Sequence, residues 1–310
     1  MVKLFWAILK SSRPRQWIKN FAVFAALIFS GNLLDRSSQI KTLEAFSLFC
    51  IFSSSTYLLN DVFDIERDSL HPFKKKRPIA SGMLPSTLAI ILALGAIIIS
   101  LPLAYKLSPA FFFACLTYLL LQLFYSSYLK RIILLDVLVI AAGFVLRVYA
   151  GVWVLNAHLN VWFLLSVSSF ALFLAIGKRR SERTLMEAAA SQHRETLLHY
   201  PENLLDSLTA MFATAAWLSY AFFTFLQPPI EARTSLAYLF GRAELPFTEA
   251  KYLMATVPVV IYAVMRYLYI IYEKKEGESP ERVLLSDRPL FTAAIIWTVL
   301  VIGIIYYLGA

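Results

Sequence analysis

Charged side chains are scarce in this sequence. Asp, Glu, Lys and Arg make up only 16% of its 310 residues, whereas hydrophobic residues make up 59%. Soluble domains usually contain about 25% charged residues. The longest polar stretches, near 61–86, 178–206 and 228–251, are too short to bury a core of their own. The composition therefore excludes a soluble globular protein and predicts one membrane domain over residues 1–310, with cytoplasmic site loops at about 61–86 and 178–206.

Cysteine and histidine are also rare. Cys50 and Cys115 each lie within an apolar run, without metal-ligand spacing, and we expect them to be small buried hydrophobes. His71, His193 and His199 follow no metal-ligand pattern, so we expect them in solvated loops. The sequence therefore offers no disulfide framework and no cysteine or histidine metal site.

Long apolar runs, in contrast, are abundant. Runs of about 20 residues, the length that spans a bilayer, occur about nine times. They lie near 17–34, 42–60, 87–105, 109–129, 132–155, 159–177, 207–227, 252–272 and 288–309. We therefore expect an all-α, polytopic bundle of about nine transmembrane helices, with a central cavity that opens to the cytoplasmic side.

Lys and Arg concentrate in alternate loops. They cluster near 3–19, 67–77, 130–131, 178–194 and 274–288. Because positively charged loops stay cytoplasmic, this predicts a multi-pass protein of the cell membrane with its N-terminus in the cytoplasm. The net charge of +9 is explained by this topology and by contact with anionic membrane lipids, without a nucleic-acid partner.

The stretch NDVFDIERDSLHPFKKKRPIASG, residues 60–82, places acidic side chains where a predicted span ends. Asp61, Asp64 and Asp68 fall within roughly 60° of one another on a helix face. Three such carboxylates repel one another unless a cation binds. Mg²⁺ prefers oxygen ligands, and substrate phosphates usually complete its coordination. Lys74 and Arg77 can neutralise phosphate oxygens. A solvated loop that follows the positive-inside rule is the alternative, but it leaves the three aligned aspartates unexplained.

These residues carry a family resemblance. The sequence resembles the UbiA superfamily of intramembrane prenyltransferases, in which an N-D-x-x-D-x-x-x-D motif after the second helix binds magnesium and diphosphate. Asn60, Asp61, Asp64 and Asp68 match this motif position for position. The stretches RPRQWIKN, HPFKKKRPIASG and VLLSDRPL resemble a phosphoribosyltransferase branch of the superfamily.

The sequence departs from ordinary members of the superfamily after the sixth predicted span. Those members carry a second motif, D-x-x-x-D, whereas this segment reads GKRRSE and places Lys178 and Glu182 at the acidic positions. A cation-rich segment suits a bound phosphate better than a second metal, although positive-inside bias also explains it. The resemblance therefore implies Mg²⁺ as cofactor, phosphoribosyl diphosphate as donor and a polyprenyl (decaprenyl) phosphate as acceptor. Prenyl transfer to an aromatic or other acceptor is the rival reaction, and a lipid or anion transporter is the alternative from another class.

Further site residues are expected partly from the resemblance and partly because ionisable groups at membrane depth usually face a cavity. Tyr128, Lys130 and Arg131 end the fourth span in a segment similar to the family's YSxxLK pattern, which implies phosphate contacts. Other expected substrate-binding residues are Lys19, Asn20, Asp136, Lys178, Arg179 and Glu182. Anchoring to anionic lipid is the alternative for the Lys19 segment. We expect Arg147 in an interhelical contact, and the sequence leaves open a homo-oligomer and the roles of Glu281, Asp287 and Arg288.

Overall fold

The computed structural model describes residues 2–70, 74–189, 200–228, 230, 251–274 and 279–308. Within these ranges the chain is helical and contains no strand, so the predicted all-α class is confirmed. The α-helices, labelled in chain order, are α1 Val2–Ser11, α2 Phe24–Phe29, α3 Arg36–Phe63, α4 Ile65–Leu70, α5 Ser86–Leu107, α6 Pro109–Ser127, α7 Leu135–Leu155, α8 Val161–Ala189, α9 Glu202–Leu226, α10 Val257–Tyr269, α11 Pro280–Ser286 and α12 Arg288–Gly303.

Eight segments in the described ranges are long and apolar enough to cross a membrane. They are Arg36–Phe63, Ser86–Leu107, Pro109–Ser127, Leu135–Leu155, Val161–Thr184, Glu202–Leu226, Tyr252–Lys274 and Arg288–Leu308. Each overlaps one of the expected spans. The remaining expected span, 17–34, consists of a 3₁₀-helix, Pro14–Val23, followed by the six-residue α2. Polar residues at 16, 19 and 20 interrupt the apolar run there.

Local side chains set several helix starts. The Ser108 hydroxyl accepts a hydrogen bond from the Phe111 N–H, and Pro109 occupies the first turn of α6. Asp287 likewise accepts from the Leu290 N–H at the start of α12. Such caps satisfy backbone donors that have no partner within the helix. These starts are therefore encoded by short sequence signals.

The chain divides into two compact units, so the prediction of one domain stays a prediction. The first comprises Met1–Ala25, Ile40–Lys130 and Leu146–Asn156. Its core packs aromatic side chains of α3 against α6, with the rings of Phe49 and Tyr118 5.1 Å apart.

Arg147 lies buried inside the first unit. Its Nε donates to the Asn20 side-chain oxygen at 2.8 Å, and its Nη2 donates to the Tyr118 hydroxyl at 3.0 Å. Because these partners lie on the 3₁₀-helix and on α6, the expected interhelical contact of Arg147 is confirmed. Both cysteines are buried and free, as predicted.

The second unit comprises Ala26–Gln39, Arg131–Val145 and Ala157–Ala310. One of its cores packs Phe173 of α8 against Tyr267 of α10, with ring centroids 5.3 Å apart. Another joins Val137, Ala175 and Tyr200. The latter core supports a buried polar cluster described below.

Candidate active site

The three aspartates of the first unit lie where α3 passes into α4. Asp61 is in the last turn of α3, Asp64 lies at the junction and Asp68 belongs to α4. The Asp64 N–H donates to the Asn60 carbonyl at 3.0 Å, and the Asp68 N–H donates to the Asp64 carbonyl at 2.8 Å. These i to i+4 bonds carry helical spacing across the junction.

Two of these carboxylates converge on one guanidinium. Arg77 Nη1 lies 3.1 Å from an oxygen of Asp61 and 2.6 Å from an oxygen of Asp68. Both aspartates are almost fully buried, with 3% and 5% of their side chains exposed. Arg13, in the connection after α1, also donates to Asp61. Arg13 adopts a left-handed backbone conformation, with φ of 51°, which is uncommon for a residue other than glycine.

The third carboxylate has a separate partner. The ammonium group of Lys130 lies 2.8 and 3.1 Å from the two oxygens of Asp64. Lys130 itself is buried. The sequence led us to expect Lys130 and Arg77 at substrate phosphates, and those contacts stay predictions. Three basic side chains therefore neutralise three carboxylates in this unit, which is needed because buried charges are costly unless they are paired.

A second polar cluster lies in the second unit, around the start of α7. Arg179 Nε donates to Asp136 at 2.7 Å, and the Tyr200 hydroxyl donates to the other oxygen of Asp136, also at 2.7 Å. Arg179 pairs with Glu182 as well. Only 1% of the Arg179 side chain and 2% of the Asp136 side chain are exposed. Arg179 thus lies in a buried network, and its expected contact with a substrate phosphate stays a prediction.

Tyr200 was missed by sequence reasoning. Its hydroxyl accepts a hydrogen bond from the Leu134 N–H at 2.7 Å while it donates to Asp136. Leu134 is left-handed, with φ of 67°. Burial raises the pKa of Tyr200, and the hydrogen bond to Asp136 raises it further, so the hydroxyl stays a donor. The only signal in the sequence is a tyrosine directly before Pro201, the residue that precedes α9.

The segment GKRRSE belongs to α8, although we expected a loop from residue 178. Lys178 Nζ lies 3.6 Å from Glu182, one turn away, so Glu182 faces two basic side chains. Arg180 pairs instead with Asp206 at 2.7 Å. Glu182, which stands at one of the two acidic positions of the second motif, is therefore already neutralised by Lys178 and Arg179.

Comparison with known proteins assigns the chain to a family. The profile described as the UbiA prenyltransferase family matches residues 21–284. The chain belongs to the UbiA prenyltransferase family. It is therefore a membrane transferase, and the eight spans fit this assignment.

Two curated UbiA relatives are similar over nearly the whole chain. A decaprenyl-phosphate phosphoribosyltransferase of Mycolicibacterium smegmatis is 33% identical, and the match covers 97% of this chain and 92% of the relative. The enzyme of the same name from Corynebacterium glutamicum is 32% identical, with 96% of this chain and 86% of the relative covered.

Solved UbiA structures share the fold. A UbiA homolog from Archaeoglobus fulgidus bound to GPP and Mg²⁺ superposes with a TM-score of 0.68 at 20% identity, covering 98% of this chain and all of the other. A digeranylgeranylglyceryl phosphate synthase superposes with a TM-score of 0.63 at 18% identity, covering 100% of both chains. These similarities establish the fold of the chain.

The donor set of the first unit fits a magnesium ion. Asp61 and Asp68 place oxygens within hydrogen-bond distance of the same nitrogen, so one cation can contact both. Among the described residues, no three His, Cys, Asp or Glu side chains form a ready metal group, and Asp64 faces Lys130. Mg²⁺ is commonly held by one or two carboxylates together with substrate phosphates. Asp61 and Asp68 suit that mode, and a ligand set that also includes Asp64 stays a prediction.

The other predicted residues differ in burial and in their partners. Asn20 is buried with Arg147 and donates to Ser53 at 3.1 Å, and Ser53 lies about 12 Å before Asp61 along α3. Lys19 is partly exposed, and Lys74, Tyr128 and Arg131 are exposed. His71, His193 and His199 lie outside the described residues. The substrate contacts expected of these residues stay predictions.

Proposed function

We propose that this UbiA enzyme transfers 5-phosphoribose from phosphoribosyl diphosphate to a polyprenyl phosphate, such as decaprenyl phosphate, and releases diphosphate. The observation that carries the proposal is the identity of 32–33% to decaprenyl-phosphate phosphoribosyltransferases over 96–97% of the chain. A prenyltransferase with two acidic motifs is disfavoured, because Lys178 and Arg179 already neutralise Glu182.

The donor diphosphate is assigned to the acidic cluster of the first unit. Asp61 and Asp68, with Asp64 and Asn60 beside them, would hold the magnesium ion. When bound, Mg²⁺ neutralises negative charge on the diphosphate leaving group. Arg77 and Arg13 lie against these carboxylates and are placed to donate to diphosphate oxygens, since a guanidinium binds phosphate with two parallel hydrogen bonds.

The transfer is a single displacement at the anomeric carbon of ribose. The bond from that carbon to the diphosphate oxygen breaks, and a bond to an oxygen of the lipid phosphate forms. No general base is needed, because the acceptor is already anionic. Inversion at the anomeric carbon is the expected outcome, and Lys130 is a candidate to orient a phosphate because its ammonium group already lies among the aspartates.

The setting of the reaction follows from the charge distribution. We assign the enzyme to the inner or plasma membrane with a cytoplasmic N-terminus, because the basic loops then lie in the cytosol, where a soluble phosphoribosyl donor is found. A product of this kind would supply lipid-linked pentose for a cell-envelope polysaccharide such as arabinogalactan. A homo-oligomer is compatible with this assignment, and a transporter function is not needed to explain the loops.

A paired assay tests the proposal. Purified enzyme with Mg²⁺ receives either polyprenyl phosphate and labelled phosphoribosyl diphosphate, or labelled prenyl diphosphate and 4-hydroxybenzoate. We expect label in the lipid fraction of the first mixture and no prenylated product in the second. Transfer in the second mixture alone would establish the rival prenyl transfer.

Variants link the reaction to the aspartates. We expect Asp61→Asn, Asp68→Asn and exhaustive chelation each to lower turnover by at least about 100-fold, the scale of one lost electrostatic contact to a leaving group. Glu44→Gln, an exposed carboxylate on the same helix, is the matched control and should keep full activity. Full turnover after chelation would refute the metal assignment.

A further inference from the structure

Part of the VLLSDRPL stretch, to which the proposed reaction assigns no role, lines a basic pocket in the second unit. This cavity of about 340 Å³ is lined by Arg266, Lys274, Ser286, Asp287, Arg288 and Pro289. It lies where the helix that carries Arg266 ends and α12 begins. Three of its side chains are cationic and one is anionic, so its formal charge is +2.

The single carboxylate of this pocket is fully engaged. Asp287 accepts from Arg266 at 2.9 and 3.0 Å, from Lys274 at 2.9 Å and from the Leu290 N–H at 3.1 Å. The hydrogen bond from Arg266 holds the pKa of Asp287 well below its usual range, against the opposing effect of burial. Arg288 is exposed and makes no ion pair with any described residue. The pocket thus has positive charge in excess of what Asp287 neutralises.

An apolar groove continues from the same residues. Its volume is about 600 Å³, and it shares Arg288 and Pro289 with the basic pocket. From there it runs between α10 and α12 past Tyr262 and Thr292 to Ile296. The eight helical steps from residue 288 to residue 296 span about 12 Å at a rise of 1.5 Å per residue.

The groove faces outward from the second unit. Tyr262 is 48% exposed and Ile296 is 45% exposed, although both lie on spans that cross the membrane. Large apolar side chains with this exposure contact lipid in a membrane protein. A molecule that enters the groove therefore comes from the bilayer.

We infer that the pocket and groove together bind an anionic phospholipid. Its phosphate contacts Arg288 and Lys274, and one acyl chain lies along the groove from Pro289 towards Ile296. A cationic site at the end of an apolar groove complements a negative head group on an apolar chain, whereas free phosphate leaves the groove unused. This site is independent of the proposed reaction, since none of its residues is assigned a role in transfer.

Lipid binding to the whole purified protein tests the inference. Native mass spectrometry compares retention of phosphatidylglycerol, phosphatidylcholine and undecaprenyl phosphate, each added to the same detergent. We expect wild type to retain phosphatidylglycerol over phosphatidylcholine and Arg288→Gln to lower that retention about fivefold, as expected for one basic side chain near a negative head group. Arg36→Gln removes an exposed arginine at the start of α3 and should leave retention unchanged.

A bulky substitution distinguishes binding of the acyl chain in the groove from binding of the head group in the pocket. Thr292→Trp fills the middle of the groove without a change of charge and should also lower phosphatidylglycerol retention. Equal retention by wild type and Arg288→Gln would overturn the inference. So would an Arg288 dependence seen with undecaprenyl phosphate alone, or release of phosphatidylglycerol by inorganic phosphate with no effect of Thr292→Trp. If Arg288→Gln does not fold, Lys274→Gln provides the same comparison.

Discussion

The buried pair of Arg179 and Asp136 allows a quantitative test of how the second polar cluster is held. Removal of one member of a buried ion pair typically costs about 3–5 kcal/mol, because the other charge stays buried without compensation. After Asp136→Asn, Arg179 still faces Glu182, so we expect a cost near 3 kcal/mol. After Arg179→Gln, the only side chain among the described residues that still bonds Asp136 is the neutral hydroxyl of Tyr200, so we expect a cost near 5 kcal/mol.

Equilibrium unfolding in mixed detergent and dodecyl sulfate micelles measures these costs. The double variant Asp136→Asn/Arg179→Gln should be less destabilised than the sum of the single variants, with a coupling of about 1–3 kcal/mol. Arg180→Gln is the comparison on the same helix. Its partner Asp206 is 40% exposed and stays solvated, whereas Arg180 itself is 12% exposed and stacks on Tyr272, so its loss should cost about 1–2 kcal/mol, less than the loss of Arg179. A cost for Arg179→Gln no greater than that for Arg180→Gln would refute the reasoning.

Two further predictions concern stability in the second unit. Arg266 and Lys274 lower the pKa of Asp287 from its ordinary 3.8, so the stability that Asp287 contributes is complete above that pH and is lost as pH falls through the lower folded-state pKa. The stability difference between wild type and Asp287→Asn should therefore shrink on acidification below about pH 4, and a difference independent of pH would contradict this. A Cβ on Gly177 would lie 2.6 Å from Cδ1 of the buried Ile271, a clash of about 1–3 kcal/mol. The gain of about 1 kcal/mol for alanine over glycine in a helix offsets part of it, so Gly177→Ala should destabilise the protein by up to about 2 kcal/mol. Ile271→Val removes that atom and should recover most of this cost, whereas additive costs in the double variant would argue against the clash.

The membrane helices were predictable because each depends on a local property. An apolar run of sufficient length forms a helix in a bilayer, since backbone polar groups have no water partners there. Eight expected spans are therefore single helices. The run at 17–34 differs because Asn20 is buried in hydrogen bonds with Arg147 and Ser53, partners that lie far away in the sequence.

The acidic motif was also predictable, but its partners only in part. The i, i+3, i+7 spacing of Asp61, Asp64 and Asp68 follows from helical periodicity and needs no tertiary information. Arg77 could be identified as a candidate site residue because it lies in the basic stretch that directly follows the aspartates. Arg77 contacts both Asp61 and Asp68, and Lys130 pairs with Asp64. These pairings depend on the tertiary packing that brings residues 77 and 130 back to the end of α3.

Sequence thus specified the helices, the family and the acidic motif, because spacing and hydrophobicity along the chain encode them. Folding paired Asp61, Asp64 and Asp68 with basic side chains, and it placed Arg179 beside Asp136, 43 residues away. It also brought Tyr200 to Asp136, a contact for which the sequence has no periodic signal. The physical reason is that a buried charge requires a neutralising neighbour, and the packing of distant segments selects which residue becomes that neighbour.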